Sequence, residues 1–297
     1  MPDHRTSADL FIEKQLDSRI SNLEKAFDAH ALCLYGPIYF GVDDFIRSAV
    51  EARAKIPPLS DRLIVLLTTD GGYIEVAHRI VDVLRKHYKL VDFVVPNYAF
   101  SAGTVLVMSG DSIYMDYYSR LGPIDPQVET QQGKKVPALG YLARYEDLIK
   151  KASRGRISTA EAQLLIDGFD QAELYKYEHA RELSVTLLKQ WLVKYKFKDW
   201  KVTKTRKKKV TPAMREKAAQ KVGKILNDTK KWHSHGHGIS KEIIEKDLGL
   251  LIDDFGATPK ISNAVSEYHE LLSDYMLKLR IEGIVHFAGR FQAYMYR

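Results

Sequence analysis

An apolar run that ends in a glycine-rich turn and continues into an amphipathic helix is the sequence feature that most limits the possible folds. The run 62–69 is typical of a buried strand, and the turn Asp70-Gly71-Gly72 leads from it into a helix with apolar residues at helical spacing. A second strand is predicted over 91–95. Strands and helices that alternate in this way predict a parallel sheet with right-handed crossovers, in which functional groups collect at the carboxyl ends of the strands.

The segments on either side of this core are predicted to be helical. Apolar residues recur at helical spacing over 8–29, and further helices are expected over 139–152, over 159–194 and in the aromatic tail 262–297. We therefore expect an α/β fold with added N-terminal and C-terminal helices. The chain divides into a helix at 1–30, a main domain at 31–255 and a helical tail at 256–297.

The composition excludes several classes of protein. With 297 residues and 45% apolar content, the chain can bury a sizeable core. Its apolar runs are shorter than the roughly 20 residues that cross a bilayer, and its first residues lack the apolar stretch of a signal peptide. The single cysteine, Cys33, excludes an internal disulfide and a cysteine-based zinc site. We expect a cytoplasmic protein without a transmembrane segment.

The positive charge is concentrated in one segment. Residues 194–231 contain fifteen Lys or Arg against three acidic residues, an excess larger than the formal charge of +7 for the whole chain. We interpret this segment as a basic insert. Nucleic acid is a possible partner for its 206–209 cluster, but no RNA-binding motif accompanies it, so a solvated loop is the favoured interpretation.

A serine follows the second strand at a position suited to a nucleophile. In the stretch Ala99-Phe100-Ser101-Ala102-Gly103, small residues surround Ser101 where the strand gives way to a helix. A serine at such an elbow has its hydroxyl raised from the sheet, and the amide of the next residue, Ala102, can stabilise an oxyanion. The first turn offers a second amide at Gly72. The sequence thus predicts Ser101 as nucleophile with an oxyanion hole formed by Gly72 and Ala102.

These motifs together resemble the Clp peptidase and signal peptide peptidase superfamily. More narrowly, the stretch 100–104 followed by Leu-Gly-Pro-Ile-Asp-Pro-Gln at 121–127 is similar to the serine dehydrogenase proteinase family. The resemblance covers 31–150 and continues more weakly over 235–250. It implies a Clp/crotonase-like superhelix of ββα units that needs no cofactor or metal. It also implies a homo-oligomer that cleaves unfolded or flexible protein segments.

The sequence leaves the general base open. Clp peptidases place a histidine on the strand after the nucleophile helix, but 119–124 contains none. Signal peptide peptidases use a lysine downstream of the serine, so Lys135 is a candidate, and a lysine with a lowered pKa can act as a base. His235 lies in a segment that resembles the family's histidine motif, and imidazole has a suitable pKa. His235 is favoured over Lys135. The other lysines considered are Lys134, Lys150 and Lys151.

Two further features have more than one interpretation. The histidines at 233, 235 and 237 alternate as zinc ligands on a strand would, but the glycines between them favour an active-site or surface loop. Asp125 could orient a base, although between two prolines it is more typical of a turn.

A serine peptidase is thus the predicted function, with two alternatives. The same paired amides could stabilise the enolate of a thioester in a crotonase-like enzyme. The fold could also serve as a non-catalytic scaffold or nucleic-acid-binding protein that contacts its partner through 194–231.

Overall fold

A computed structural model describes residues 6–124, 127–129, 135–203, 207–232, 234 and 236–296 of the chain. Its strands are β1 (His30–Tyr35), β2 (Arg62–Thr68), β3 (Leu90–Val94), β4 (Tyr98–Ala99), β5 (Ile113–Met115), β6 (Arg120–Leu121), β7 (Gln127–Glu129), β8 (Lys135–Pro137), β9 (Asp253–Asp254), β10 (Ile281–Phe287) and β11 (Arg290–Tyr296). Its helices are α1 (Ser7–Phe27), α2 (Val42–Arg53), α3 (Ile74–His87), α4 (Ala102–Val107), α5 (Ala138–Ser153), α6 (Thr159–Asp167), α7 (Gln171–Trp191), α8 (Pro212–Leu226), α9 (Thr229–Trp232), α10 (Lys241–Ile243) and α11 (Pro259–Leu279).

The main sheet confirms the predicted α/β class. Within the described residues it has seven strands in the order β11-β10-β1-β2-β3-β5-β9. Strands β1, β2, β3, β5 and β9 run parallel to one another. Strand β10 is antiparallel to both of its neighbours, β1 and β11. The glycine turn at 70–72 follows the carboxyl end of β2, and the serine elbow at 98–102 follows that of β3. The sheet therefore brings both predicted site segments to the same edge.

The apolar run of β2 is continuous because both faces of the sheet are covered. Leu63, Val65 and Leu67 belong to a core shared with α2, α3 and α4, whereas Ile64 and Leu66 belong to a second core with α1 and α11. Successive side chains of a strand point to opposite faces, so a strand buried on both faces needs apolar residues at every position. This explains why 62–69 lacks the alternation of a half-exposed strand.

The helix predicted at the N-terminus is present. The Thr6 hydroxyl caps α1 by accepting from the amide of Asp9 at 3.2 Å, and the Asp9 carboxylate accepts from the amide of Thr6 at 2.9 Å. Two predicted helices differ from the structure. The helix expected over 159–194 is interrupted between α6 and α7, where Gly168 ends one helix and the Asp170 side chain caps the next.

The helical prediction for the C-terminal tail is correct for α11 and wrong for the residues after it. Residues 281–287 and 290–296 form a hairpin, and β10 of this hairpin pairs with β1. The turn of the hairpin contains Gly289 at a φ of +76°, a conformation that glycine adopts without strain. The hairpin is an edge of the main sheet, not a separate helical addition. The domain boundaries of the chain stay a prediction.

The basic segment is a packed part of the fold. The side chain of Thr211 caps α8, and Pro212 lies in its first turn. Ala219, Val222 and Leu226 of α8 are buried in the main core, so the helix turns only its other face to solvent. The interpretation of 194–231 as a basic insert stays a prediction, and within it α8 packs one face into the core. None of the helices in the described ranges is both long and apolar enough to cross a membrane.

Candidate active site

Ser101 lies at a sharp turn between β4 and α4. Its backbone has a φ of +52° and a ψ of −121°, a combination that side-chain-bearing residues rarely adopt. The residue is only 7% exposed, and among the described residues none hydrogen-bonds to its hydroxyl. Strained backbone of this kind persists only where the surrounding structure holds it in place. Here the surrounding structure is the end of β2.

The structure brings the glycine turn into direct contact with this elbow. The amide of Thr69 donates to the carbonyl of Tyr98 at 3.0 Å, and the amide of Phe100 donates to the carbonyl of Thr69 at 2.9 Å. Gly71 has a φ of +101°, and a Cβ added to it would lie 2.7 Å from the Ser101 Cβ. The close approach of the two turns therefore requires glycine at position 71.

The amides of Gly72 and Ala102 are available to a ligand. The neighbouring amide of Gly71 donates to the Thr69 hydroxyl at 3.0 Å, but in the described part of the chain neither Gly72 nor Ala102 has an acceptor for its own N–H group. Ala102 is the first residue of α4, where helix geometry leaves amides unpaired. Both residues line one cleft together with Ser101.

The Gly-Pro-Ile motif holds the elbow from its other side. The Thr104 hydroxyl donates to the carbonyl of Ala99 at 2.7 Å and accepts from the amide of Gly122 at 2.9 Å. A Cβ on Gly122 would lie 2.7 Å from the ring of Phe100. Thr104 thus connects β4, α4 and the chain after β6 around Ser101. The motif that resembles the family therefore also has a physical role, because it holds the elbow through Thr104.

The histidine-rich segment is anchored beside the elbow, although His235 and His233 themselves lie outside the described residues. Ile239 pairs with Leu121 through hydrogen bonds of 2.7 and 3.0 Å, and β6 in turn pairs with β4. The described His237 is exposed, and its ring lies 5.4 Å from that of Trp232. Over the described ranges, no group of three His, Cys, Asp or Glu side chains could hold a metal ion.

The structure distinguishes among the four lysines that the sequence offers as a base. Lys135 lies in β8, but its side chain is outside the described part of the chain, as are Lys134 and Asp125. Lys151 donates to Glu161 at 2.7 Å, and this hydrogen bond raises the pKa of its ammonium group. Because a lysine base needs a lowered pKa, Lys151 is unsuited to that role. Lys150 is an exposed partner of Glu146 at 4.0 Å.

The cleft next to Ser101 is lined in part by helices that the sequence did not place there. Its volume is about 1880 Å³, and it extends from the elbow to α7 and to the end of α11. Tyr98 lines it beside the elbow, and burial raises the pKa of its hydroxyl to about 12. His269 lies behind the cleft wall with its ring 5.8 Å from that of Tyr35, and burial lowers its pKa. The amphipathic pattern of these late helices predicts helices but does not indicate which strand ends they cover.

The chain is similar to known proteins over parts of its length. It is 35% identical to the uncharacterized protein MJ0137 of Methanocaldococcus jannaschii over 28% of this chain and 28% of that protein. It is 25% identical to the uncharacterized protein MJ1495 of the same organism over 56% of this chain and 54% of that protein. The chain thus spans about a quarter and about half of the length of these two relatives.

Solved structures give a weaker likeness. Two mutants of the membrane-bound stomatin-specific protease 1510-N, one of them in complex with a substrate peptide, are 22% and 19% identical to the chain. Each covers 50% of this chain, and the shares of their own chains are 70% and 74%. Their TM-scores are 0.32, so we transfer no residue roles from them.

A family model covers the segment that contains both turns. Residues 26–160 match the model of ClpP-like SDH-type serine proteinases. This segment includes Gly72, Ser101 and the Gly-Pro-Ile motif and ends before α7. The match agrees with the resemblance that the sequence motifs carry: over residues 26–160, just under half of its length, the chain is similar to the ClpP-like SDH-type serine proteinases.

Proposed function

We propose that the protein is a serine endopeptidase with Ser101 as its nucleophile. The observation that carries this proposal is the elbow itself: Ser101 has a φ of +52° at the start of α4 and lies against the glycine turn. A strained serine between a strand and a helix is the arrangement of a nucleophile elbow. A small residue selected only for packing would not require this backbone conformation.

The reaction follows from the groups around Ser101. The Ser101 oxygen forms a bond to the substrate carbonyl carbon while its proton passes to a base, and the amides of Gly72 and Ala102 donate to the resulting oxyanion. The C–N bond then breaks, and the base returns the proton to the leaving amine. A water molecule releases the acyl group by the same steps in reverse order.

The base in this proposal is His235, with Lys135 as the alternative. The pairing of Ile239 with Leu121 supports His235, because it holds the histidine-rich segment one strand away from β4. An imidazole of ordinary pKa, about 6.5, accepts a serine proton near neutrality. A lysine in this role would require a strongly lowered pKa, which demands burial or a neighbouring cation.

The substrates in this proposal are flexible or unfolded protein segments. The cleft of about 1880 Å³ offers apolar and charged side chains over a length greater than one side-chain pocket, which suits an extended peptide. Exposed rings of Phe40 and Tyr73 lie 4.7 Å apart beside Gly72. Homo-oligomer formation and a cytoplasmic location stay predictions from the sequence.

Hydrolysis of unstructured casein tests the proposal. We expect the wild-type protein to release peptides and Ser101→Ala to lose at least about 10³-fold in kcat. Ser109→Ala is a matched control, since Ser109 is a buried serine close in sequence whose hydroxyl donates to the carbonyl of Leu106 at 2.7 Å. Equal activity of wild type and Ser101→Ala would refute the proposal. A folded wild type without hydrolysis would favour the thioester or scaffold alternatives.

A further inference from the structure

The C-terminal hairpin, which lies outside the family-matched segment, contains an irregularity at Tyr294. Ile284 pairs with Ala293 and Gly283 pairs with Met295, so Tyr294 is an extra residue without a partner on β10. An extra residue in an antiparallel pair is a β-bulge, and bulges redirect a side chain, often next to active sites.

The Tyr294 side chain crosses β10 toward the chain that follows β1. Its ring lies over Gly283, where a Cβ would overlap it, and it stacks on Phe45 at 6.3 Å. Its hydroxyl donates to the carbonyl of Pro37 at 2.9 Å. Burial raises the pKa of Tyr294, so the hydroxyl keeps its proton over the working range of pH. It is a permanent donor.

The hydrogen bonds continue from Pro37 to the glycine turn. The Pro37 carbonyl and the Ile38 amide belong to one peptide unit, and the Ile38 amide donates to the carbonyl of Gly71 at 2.8 Å. The Gly71 carbonyl belongs to the same peptide unit as the Gly72 amide. The carbonyl of Ile38 also accepts from the amide of Tyr73 at 2.9 Å. Two planar peptide units thus link the Tyr294 hydroxyl to the Gly72 N–H group.

We propose that Tyr294 is a positioning residue that orients and polarises the Gly72 amide of the oxyanion hole through the peptide units of Pro37–Ile38 and Gly71–Gly72. All donors in this chain point the same way, from the phenol toward the oxyanion. Hydrogen bonds arranged head to tail strengthen one another. The proposal rests on the proposed function, because it assigns the Gly72 amide to an oxyanion.

The packing around Pro37 supports a fixed arrangement. Gly36 has a φ of +116°, and a Cβ there would overlap the backbone of Glu282 and Gly283. A Cβ on Gly72 would overlap the carbonyl of Ile38. The hairpin, the segment 36–38 and the glycine turn therefore touch through backbone atoms, with no room for an intervening side chain.

Tyr294→Phe tests this role, since it removes the donor and keeps the ring. We expect kcat for a fluorogenic peptide taken from a casein cleavage site to fall about 3- to 30-fold, less than the loss of a whole oxyanion donor. KM should change less than about twofold. A peptide aldehyde, which forms an oxyanion on the serine, should bind more weakly by the same factor as kcat falls.

Tyr268→Phe is the matched control. Tyr268 is a buried tyrosine of α11 whose hydroxyl bonds to His286 of the same hairpin at 2.8 Å, away from the segment 36–38. It should lose stability to a similar degree and keep the wild-type kcat and aldehyde affinity. An equal loss of kcat in both variants would overturn the proposal, because it would show a general effect of a weakened hairpin.

Amide hydrogen exchange makes the test independent of turnover. Tyr294→Phe should exchange faster than wild type and Tyr268→Phe in fragments covering 36–40 and 70–74. If Tyr294→Phe leaves the exchange unchanged, or leaves kcat and aldehyde affinity unchanged, the role of Tyr294 is overturned. If Ser101→Ala is inactive in the same assays, the proposed function itself still stands. If Ser101→Ala keeps full activity, the proposed function itself fails, and the assignment of Tyr294 fails with it.

Discussion

The two sides of the candidate site are assembled from different kinds of group. The nucleophile side consists mainly of backbone: the amides of Gly72 and Ala102 and the strained elbow at Ser101, all at the ends of neighbouring strands. In the proposed mechanism, the base side consists of one side chain, either Lys135 of β8 or His235 of the segment 233–239, whose Ile239 pairs with Leu121 of β6. The sheet itself places the backbone groups, whereas the proposed base comes from a segment outside the main sheet.

This difference shows that the fold fixes the position of the backbone groups more strictly than the position of the base. The nucleophile side depends on short distances between consecutive strand ends, and glycines at 71 and 122 are required because the chain segments nearly touch there. The base side requires only that a proton acceptor reach Ser101. Histidine and lysine can both meet that requirement on the same fold, so the base is the part free to vary.

Replacing the two base candidates should give the largest effect and resolve the base side. We expect His235→Ala to lower kcat about 10²- to 10⁴-fold, and Lys135→Ala to leave it within about threefold. With an imidazole base, kcat/KM should fall below a pKa near 6.5, about the ordinary value for histidine. Initial rates from pH 5 to 9 measure both.

The reverse result would move the base to β8. If Lys135→Ala is inactive and His235→Ala is active, the lysine mechanism replaces the histidine mechanism. Full activity in both variants would contradict the view that either segment supplies the base.

Gly71→Ala should give the next largest effect and test the nucleophile side. A Cβ at this position would lie 2.7 Å from both the Phe100 carbonyl and the Ser101 Cβ, so the elbow must shift. Because small displacements of reacting groups are costly, we expect kcat to fall about 10- to 100-fold. Peptidase assays at saturating substrate measure it.

Gly155→Ala is the control for Gly71→Ala, because it introduces backbone strain at a positive φ without a contact between two turns. Gly155 also has a positive φ, +64°, but a Cβ there has nothing within 4 Å. It should lose about 1 kcal/mol of unfolding free energy and keep its kcat. Similar kcat values for the two variants would show that contact between the turns is irrelevant to catalysis.

The sequence predicts the two turns at the strand ends because the information for them is local. Ser101, Ala102 and Gly72 each lie where an apolar run meets small residues, and the parallel sheet follows from the alternation of strands and helices. The C-terminal hairpin was not predicted. Its strand β10 pairs with β1 across more than 240 residues, and no local pattern indicates that pairing. Their aromatic residues fit a helical pattern and a strand pattern about equally.

Two contacts behind the site were not predicted for the same reason. Tyr294 reaches the segment 36–38 only because of a bulge, and His269 approaches Tyr35 only after α11 has packed on the sheet. No local motif encodes either contact. They follow from packing between segments remote in sequence, which a single sequence does not reveal.

Thr104→Val should give a smaller effect than Gly71→Ala. It removes the hydroxyl that connects the carbonyl of Ala99 with the amide of Gly122 while nearly keeping the volume. Two buried groups lose a partner, so we expect about 1 to 3 kcal/mol less unfolding free energy and about 3- to 10-fold lower kcat. Urea unfolding and peptidase assays measure these changes.

Thr104→Ser is the control because it keeps the hydroxyl and removes only the methyl group. It should keep most of the kcat that Thr104→Val loses. A kcat as low as that of Thr104→Val would indicate that the methyl group, and not the hydrogen bonds, holds the elbow.

Asp111→Asn should give the smallest effect on activity, because Asp111 lies at the opposite end of the sheet from Ser101. Burial pushes the pKa of Asp111 upward, but hydrogen bonds from Lys198, the Val91 amide and Arg85 outweigh it and lower the pKa. The charged form therefore stabilises the fold. This contribution is complete above the unfolded pKa of about 3.9 and is lost as the pH falls through the folded value.

We expect Asp111→Asn to lose about 3 kcal/mol of unfolding free energy at pH 7 with kcat unchanged. The difference from wild type should shrink below about pH 4. Urea unfolding at pH 7 and pH 3 measures it. A constant difference over this range would show that the Asp111 charge is not what stabilises the fold.

The attachment site of a fluorophosphonate probe tests the central claim most directly. The probe reacts with activated serine hydroxyls, and tandem mass spectrometry of the digested protein identifies the modified residue. We expect one adduct on Ser101 of the folded wild type, lost after heat unfolding and in Ser101→Ala but retained in Ser109→Ala. An adduct on another serine, or no adduct on folded protein that hydrolyses casein, would contradict the assignment of Ser101 as the nucleophile.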